Sequence, residues 1–253
     1  MYSWGINITN SEYDAWAKVY DIIYGSYRED IEFYKKEAKK AAGKVLEVGC
    51  GTGRIYLELL KEGIDAYGID ISRCMLDELR AKAKTLGLEP KVSLGDMRDF
   101  RLKERFALII VPFRSFLYNL TTEDQLKTLK NFRRHLQKGG RLILNFFYPD
   151  IERMMSFGKE SEELIVTDKG EYGLREKSYF IDEINQIIET LATVYKEGEV
   201  FWKGTYRYAL IYKREFELLL RLAGFKKWEV YGGFDYRPLT SYKQEMVWIA
   251  ERG

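Results

Sequence analysis

The chain has 253 residues, 46% of them hydrophobic and 32% charged, with 41 Lys and Arg against 39 Asp and Glu. Such a length suits one large domain or a domain carrying an insertion, and it excludes a small disulfide scaffold or a disordered tail. Two cysteines, Cys50 and Cys74, and one histidine, His135, cannot make a zinc site or a Ser-His-Asp triad dependent on other histidines. No stretch approaches the ~20 apolar residues of a membrane span. The segment Met1-Tyr2-Ser3-Trp4-Gly5 has no basic start followed by an apolar run, so the expectation is a cytoplasmic protein. Residues 1–150 hold 25 basic against 21 acidic side chains and residues 151–253 hold 16 against 18, without the clustered basic excess of a nucleic-acid clamp. The unusual figure is 15% aromatic: 19 Tyr, 14 Phe and 5 Trp.

In chain order, the first forty residues read as two helices. Tyr13, Trp16, Ala17, Val19, Tyr20 and Ile23 recur at helical spacing, and Gly25 offers a stop. Short apolar runs then alternate with amphipathic helices. Strands are expected at 45–48, 65–69, 92–94, 106–111 and 141–147. Helices are expected at 54–61, at 72–86 with Ser72 as N-cap, and at 122–136 ended by Gly139-Gly140. That alternation predicts an α/β fold, a parallel sheet with helices on both faces that binds ligands at the carboxyl ends of its strands. After Pro149 the pattern changes. A short helix at 150–157 precedes runs at 164–166, 172–180, 185–195 and 200–212, punctuated by turn residues, which read as an antiparallel meander. In the last run Trp202, Tyr206, Tyr208, Leu210 and Tyr212 share one parity, which puts their rings on one sheet face. A helix at 212–223 and a closing hairpin of strands at 226–231 and 245–250 complete the chain. The expected organisation is therefore cap helices and core over 1–150, an inserted sheet over 151–212, and a return to the core over 213–253.

The chemistry begins at Glu47-Val48-Gly49-Cys50-Gly51-Thr52-Gly53, a strand entering a glycine-rich turn whose backbone N–H groups can approach a ligand closely. A dinucleotide fingerprint would need glycine at position 54, where Arg54 stands, and a P-loop would need Gly-Lys-Ser/Thr. Asp70, at the end of the second strand, can accept hydrogen bonds from both hydroxyls of a ribose. Asp96, at the tip of the third, can accept from an exocyclic amine.

In these three segments, 45–53, 67–72 and 95–97, the sequence resembles the class I S-adenosylmethionine-dependent methyltransferases. The resemblance implies a Rossmann-like, seven-stranded, mostly parallel sheet whose last strand is antiparallel, with S-adenosyl-L-methionine as cofactor. It also implies Glu47 near the methionine amino end, Gly49, Cys50 and Gly51 along the cofactor, and Asp70 on the ribose. Asp96 and Met97 are expected on the adenine, with Ile71 packed on its face and Met75 nearby. Tyr20 or Tyr24, from the cap helix, is expected over the methionine tail, and Val111 at the end of the fourth strand.

That fourth strand end faces the transferred methyl in this family and reads Val111-Pro112-Phe113-Arg114-Ser115-Phe116-Leu117-Tyr118. It lacks the Asn/Asp-Pro-Pro-Tyr/Phe run of amine-methylating base and glutamine methylases, and it has no cysteine for base C5 methylation. Nucleic-acid substrates, RNA included, are demoted. It also has no acidic ligand, so no metal is expected. The expected function is methyl transfer to a nitrogen or oxygen of a small molecule, with Phe113, Arg114, Tyr118, Tyr206, Tyr208 and Tyr212 enclosing the acceptor. No residue is singled out as the catalytic base. The competing reading is a cofactor-binding partner subunit without turnover. The aromatic sheet is also a candidate homodimer surface.

Overall fold

The N-terminal helix is the first element of a computed structural model that describes residues 10–253, with side chains from Tyr13 onward. The expectation at Met1–Gly5, and the start of the N-terminal cap, lie outside the described residues. Helix α1 (Asn10–Tyr24) is followed by α2 (Ile31–Lys40), and the alternating core then runs β1 (Val45–Val48), α3 (Tyr56–Lys61), β2 (Ala66–Asp70), α4 (Arg73–Thr85), β3 (Lys91–Leu94) and β4 (Phe106–Val111). A 3-10 turn at Ser115–Tyr118 leads to α5 (Thr122–His135) and β5 (Leu136–Phe147). Helix starts are written locally: the Ser72 hydroxyl accepts the Met75 N–H at 3.2 Å, and Thr121 Oγ1 accepts from Asp124 N–H at 3.1 Å.

After α6 (Ile151–Met155) come β6 (Glu160–Thr167), β7 (Gly170–Asp182), β8 (Ile187–Lys196) and β9 (Glu199–Ala209), then α7 (Lys213–Leu222), β10 (Lys227–Tyr231) and β11 (Glu245–Glu251). The main sheet has the order β10-β11-β5-β4-β1-β2-β3, parallel except for β11, which runs antiparallel to both neighbours. Every residue of β1 and β4 is buried, as expected of central strands covered on both faces. One apolar layer joins the sheet to α5 and α7 through Leu129, Phe132, Phe216 and Leu219, and the other joins it to α2, α3 and α4 through Phe33, Leu57 and Leu76.

The sequence reading differs from the structure in β5. Gly139-Gly140 does not stop α5. The helix ends at His135, and both glycines lie inside a single strand that begins at Leu136. Pairing with β4 shifts between Phe106 opposite Leu136 and Leu108 opposite Arg141, a bulge that brings backbones together. A Cβ on Gly140 would lie 2.9 Å from the carbonyl oxygens of Gln137 and Phe106, so the glycine serves close approach within the sheet.

The inserted sheet is a meander in the order β6-β7-β8-β9. Its alternation sends Ile165, Leu174, Val194 and Trp202 inward against Trp16, Val19 and Ile23 of α1. Helix α1 thereby covers this part of the ring-bearing face from within the chain. Among the described residues no helix is long and apolar enough to cross a membrane.

Candidate active site

Where β1, β2 and β4 end, α1 and the meander close over the sheet and leave a cavity of about 510 Å³. Its floor is the glycine turn. Gly49, Gly51 and Gly53 have φ of +71°, +52° and +89°, the left-handed region that favours glycine. A Cβ on Gly53 would come within 2.9 Å of Leu57 and Leu79, and one on Gly49 within 3.0 Å of Ser115 Oγ. Asp70 ties the turn to the next helix: Oδ2 accepts from Gly51 N–H at 2.8 Å and Oδ1 from Ser72 N–H at 2.9 Å. Each oxygen retains a second acceptor site for a ligand hydroxyl. Burial raises the Asp70 carboxyl above its ordinary range, against the pull of those backbone donors.

Helix α1 is clamped over this floor by its two Tyr-Asp pairs. Asp14 Oδ1 accepts from Ser72 Oγ and from Cys74 N–H at 3.2 Å. Asp21 accepts from Thr52 Oγ1 at 2.6 Å and pairs with Lys82 at 2.8 Å. Tyr13, Trp16, Tyr20 and Tyr24, at helical spacing, consequently face the cavity. The Trp16 indole N–H is buried without a hydrogen-bond partner among the described residues.

The expected cofactor residues divide into two groups. Tyr20, Tyr24, Gly49, Gly51, Asp70, Ile71, Met75, Asp96 and Met97 all line the cavity. Asp96 is also held by Arg98, whose Nε lies 3.0 Å from both carboxylate oxygens. Burial alone would raise its carboxyl, but the Arg98 hydrogen bonds hold it below its ordinary range. Glu47, Cys50 and Val111 do not reach the cavity surface. Val111 is packed in the core, and the Cys50 thiol fills the space left by Gly68, 2.9 Å from where a Cβ there would stand. Burial pushes that thiol well above its ordinary range, which removes it as a nucleophile. Glu47 is 3% exposed, and its Oε2 has no hydrogen-bond partner among the described residues. Burial raises its carboxyl well above the usual range, with the Arg54 guanidinium pulling the other way. Asp70, on the cavity wall with acceptor sites to spare, suits a ribose, and the glycine turn beside it admits a ligand close to the backbone, so the residues present fit S-adenosylmethionine, with the orphaned Glu47 oxygen one layer behind.

Of the expected acceptor residues, Phe113, Arg114, Tyr118, Tyr206 and Tyr208 line the same cavity. Phe113 and Arg114 adopt consecutive left-handed conformations, φ +53° and +66°, and buried neighbours hold them there. Phe113 N–H donates to Asn145 Oδ1 at 3.0 Å, and Arg114 forms two bonds to Glu245, at 3.1 and 2.9 Å. Rings crowd around: Tyr24 to Phe113 is 5.0 Å, Tyr13 to Tyr118 5.5 Å, and Trp16 to Tyr206 5.4 Å between centroids. Burial raises the phenols of Tyr20, Tyr24 and Tyr206, and pushes Tyr118 up to about 12, so these hydroxyls are neutral at pH 7.

Tyr212 is a correction. Strand β9 stops at Ala209, and Tyr212 instead begins α7, 37% exposed and edge-on to Tyr148 at 5.8 Å, because period-two parity means nothing past the strand's end. His135 is also more buried than a helix C-terminus near solvent suggests. Its Nδ1 lies 2.9 Å from Asn131 O, and its Nε2 accepts from Leu102 N–H at 3.3 Å, which defines a neutral ring, and burial lowers its pKa. Sequence reading missed Ser115, Phe147 and Arg153 on the cavity wall. Glu176, bonded to the cavity-lining Tyr206 at 3.0 Å, was missed as well, although its parity with Tyr172 and Leu174 in β7 was a signal.

A seven-stranded sheet of this order, with a glycine turn after β1 and an acidic residue ending β2, defines a Rossmann-like α/β protein. Residues 45–140 match the family model described as a methyltransferase domain. A Streptomyces venezuelae dTDP-3-amino-3,4,6-trideoxy-alpha-D-glucopyranose N,N-dimethyltransferase is 31% identical over 142 residues, 53% of this chain and 58% of that protein, so the matched part spans little more than half of that relative. A cypemycin N-terminal methyltransferase from Streptomyces sp is 25% identical over 217 residues, 82% of each chain. The structure of the CcbJ methyltransferase from Streptomyces caelestis superposes with a TM-score of 0.80 at 24% identity, covering 96% of this chain and 98% of that one, which speaks for the fold. Over residues 45–140 the chain is thus similar to methyltransferase domains.

Proposed function

We propose that this protein is a methyltransferase acting on a nitrogen or oxygen of a small molecule, with an amine as the favoured acceptor. The observation that carries this reading is the single cavity wall shared by the glycine turn with Asp70 and by the rings of Tyr24, Phe113, Tyr118, Tyr206 and Tyr208. Bound S-adenosylmethionine supplies an electrophilic methyl on a sulfonium. The proposed roles are Asp70 for the ribose, Ile71 and Met75 for the adenine face, and Asp96 and Met97 for its edge. Gly49, Cys50 and Gly51 would follow the cofactor backbone. Glu47 would oppose the ammonium, Tyr20 and Tyr24 would cover the methionine tail, and Val111 would back the site from the core.

The aromatic wall does the remaining work by alignment. Rings exclude water and attract a cation by ~0.5–2 kcal/mol per contact. Holding two reactants in line can supply ~7–11 kcal/mol without a dedicated acid or base. Phe113 and Arg114, pinned by Asn145 and Glu245, keep the acceptor side rigid. In this reading residues 1–150 and 213–253 form the cofactor unit, 151–212 roof the acceptor, and the protein works in the cytoplasm. The names of the sugar and peptide relatives favour nitrogen over oxygen.

Calorimetric titration with S-adenosylmethionine and S-adenosylhomocysteine tests the cofactor. A panel of amino sugars, peptide amines and phenols, read by mass for the replacement of hydrogen by methyl, tests the acceptor. No binding at millimolar cofactor would defeat the proposal, and binding without product from any acceptor class would favour a non-catalytic cofactor-binding role.

A further inference from the structure

Carboxylates around the cavity fall into two sets. Asp96 and Asp124 share Arg98, Glu245 holds Arg114, and Asp30, behind the site, holds Arg54. Asp14 and Asp21 are committed to clamping α1. Three others have no basic side chain within ion-pair distance among the described residues: Asp70, Glu47 and Glu176. The first two lie at the glycine turn and are accounted for by the cofactor under the proposed function. Glu176 lies behind the opposite wall, bonded to the cavity-lining Tyr206, and nothing in the cofactor reading uses it.

Alternation along β7 puts Glu176 on the inward face with Tyr172 and Leu174, which are 3% and 4% exposed. Its Oε1 accepts the hydroxyl proton of Tyr206 at 3.0 Å. Because that phenol has one proton to give, its oxygen is left to the cavity as an acceptor. Tyr24 from α1, Tyr118 from the 3-10 turn and Tyr206 from β9 all feel the Glu176 charge. Glu163 from β6 opposes that charge, and Arg153 from α6 favours it more weakly than an ion pair would. Burial raises the Glu176 carboxyl above its ordinary range, with the Tyr206 hydrogen bond pulling the other way, and no basic side chain among the described residues pairs with it.

We propose that Glu176, acting through the Tyr206 hydroxyl, is the counter-charge for the methyl acceptor: the pair anchors a cationic amine in the roof opposite the glycine turn and takes one of its protons, Tyr206 passing its own to Glu176, so that a neutral nitrogen lone pair displaces the sulfonium. This rests on the methyltransferase reading and adds to it the residue that selects the acceptor. A charged donor meets the Tyr206 oxygen with the Glu176 carboxyl directly behind it, whereas a neutral hydroxyl brings no charge to match that carboxylate.

The test uses the full chain saturated with S-adenosylhomocysteine, and compares benzylamine, cationic at pH 7, with its neutral isostere benzyl alcohol. The wild-type protein should prefer the amine by about tenfold or more. Glu176→Gln keeps an oxygen for the Tyr206 proton but removes the charge, and should bring the preference to within about threefold. Tyr206→Phe should weaken the amine and spare the alcohol. Unchanged S-adenosylhomocysteine affinity in both variants certifies their fold. A preference that survives Glu176→Gln, or a wild-type protein that binds S-adenosylhomocysteine and shows no preference, overturns the proposal alone. Failure of the wild type to bind S-adenosylhomocysteine overturns the methyltransferase reading with it.

Discussion

Replacing Arg54 by Ala isolates what this chain gains by departing from a dinucleotide fingerprint at that position. Arg54 and Asp30 form a two-bond ion pair, Nη1 to Oδ1 at 2.5 Å and Nη2 to Oδ2 at 2.7 Å, with side chains 6% and 0% exposed. The same guanidinium donates to Tyr27 O at 3.2 Å and lies 4.9 Å from the Phe113 ring centroid. Removing one member of a buried pair leaves the other charge uncompensated, at a cost of ~3–5 kcal/mol. At ~2–4 °C per kcal/mol for a chain of this size, the melting temperature should fall by roughly 6–20 °C. Urea and thermal denaturation of the Arg54→Ala protein measure this directly. Replacing both partners, as Asp30→Leu with Arg54→Met, should recover much of the loss, since no lone charge remains. An Arg54→Ala protein within ~1 kcal/mol of wild type would show that water reaches Asp30. That result would refute the argument from burial.

Two further outcomes follow from the cofactor wall. Asp70→Ala removes a carboxylate that organises the glycine turn and faces the proposed ribose, and should weaken S-adenosylmethionine binding by ~1.5–3 kcal/mol, about 10- to 150-fold by calorimetry. Unchanged affinity would contradict the assignment. Glu47→Gln should act oppositely on stability and on binding. Burial, opposed by Arg54, raises the Glu47 carboxyl in the folded state, so the native protein binds a proton more tightly than the unfolded chain. Its ionisation therefore costs stability progressively as pH rises from the unfolded value of ~4.3 through the raised folded value. The Gln variant should be more stable than wild type at pH 7.5, with a smaller advantage at pH 5, and should bind cofactor more weakly. Urea midpoints with equal differences at both pH values would sink the argument.

Much of the cofactor wall was legible because its determinants are short-range. A strand, a glycine turn with three positive φ angles, Ser72 as a cap and Asp70 at a strand end all lie within 28 consecutive residues. The α1 face was legible for the same reason, since helical spacing alone puts Tyr13, Trp16, Tyr20 and Tyr24 on one side. Parity served the meander as far as Tyr208 and failed at Tyr212, where the strand had already ended.

Element order, the glycine turn, the acidic residues at the ends of β2 and β3 and the concentration of rings near them are all local properties of the chain, because φ preference, capping and periodicity act between residues a few positions apart. Only the tertiary structure decided which charges are matched. Arg54 meets Asp30 across 24 residues, Arg114 meets Glu245 across 131, and Tyr206 meets Glu176 across 30. No local rule selects those partners. They are chosen by strand register and by the packing of α1 and the meander over the sheet, and the same packing leaves Asp70 on the cavity wall, with Glu47 and Glu176 behind it, unpaired by any basic side chain among the described residues.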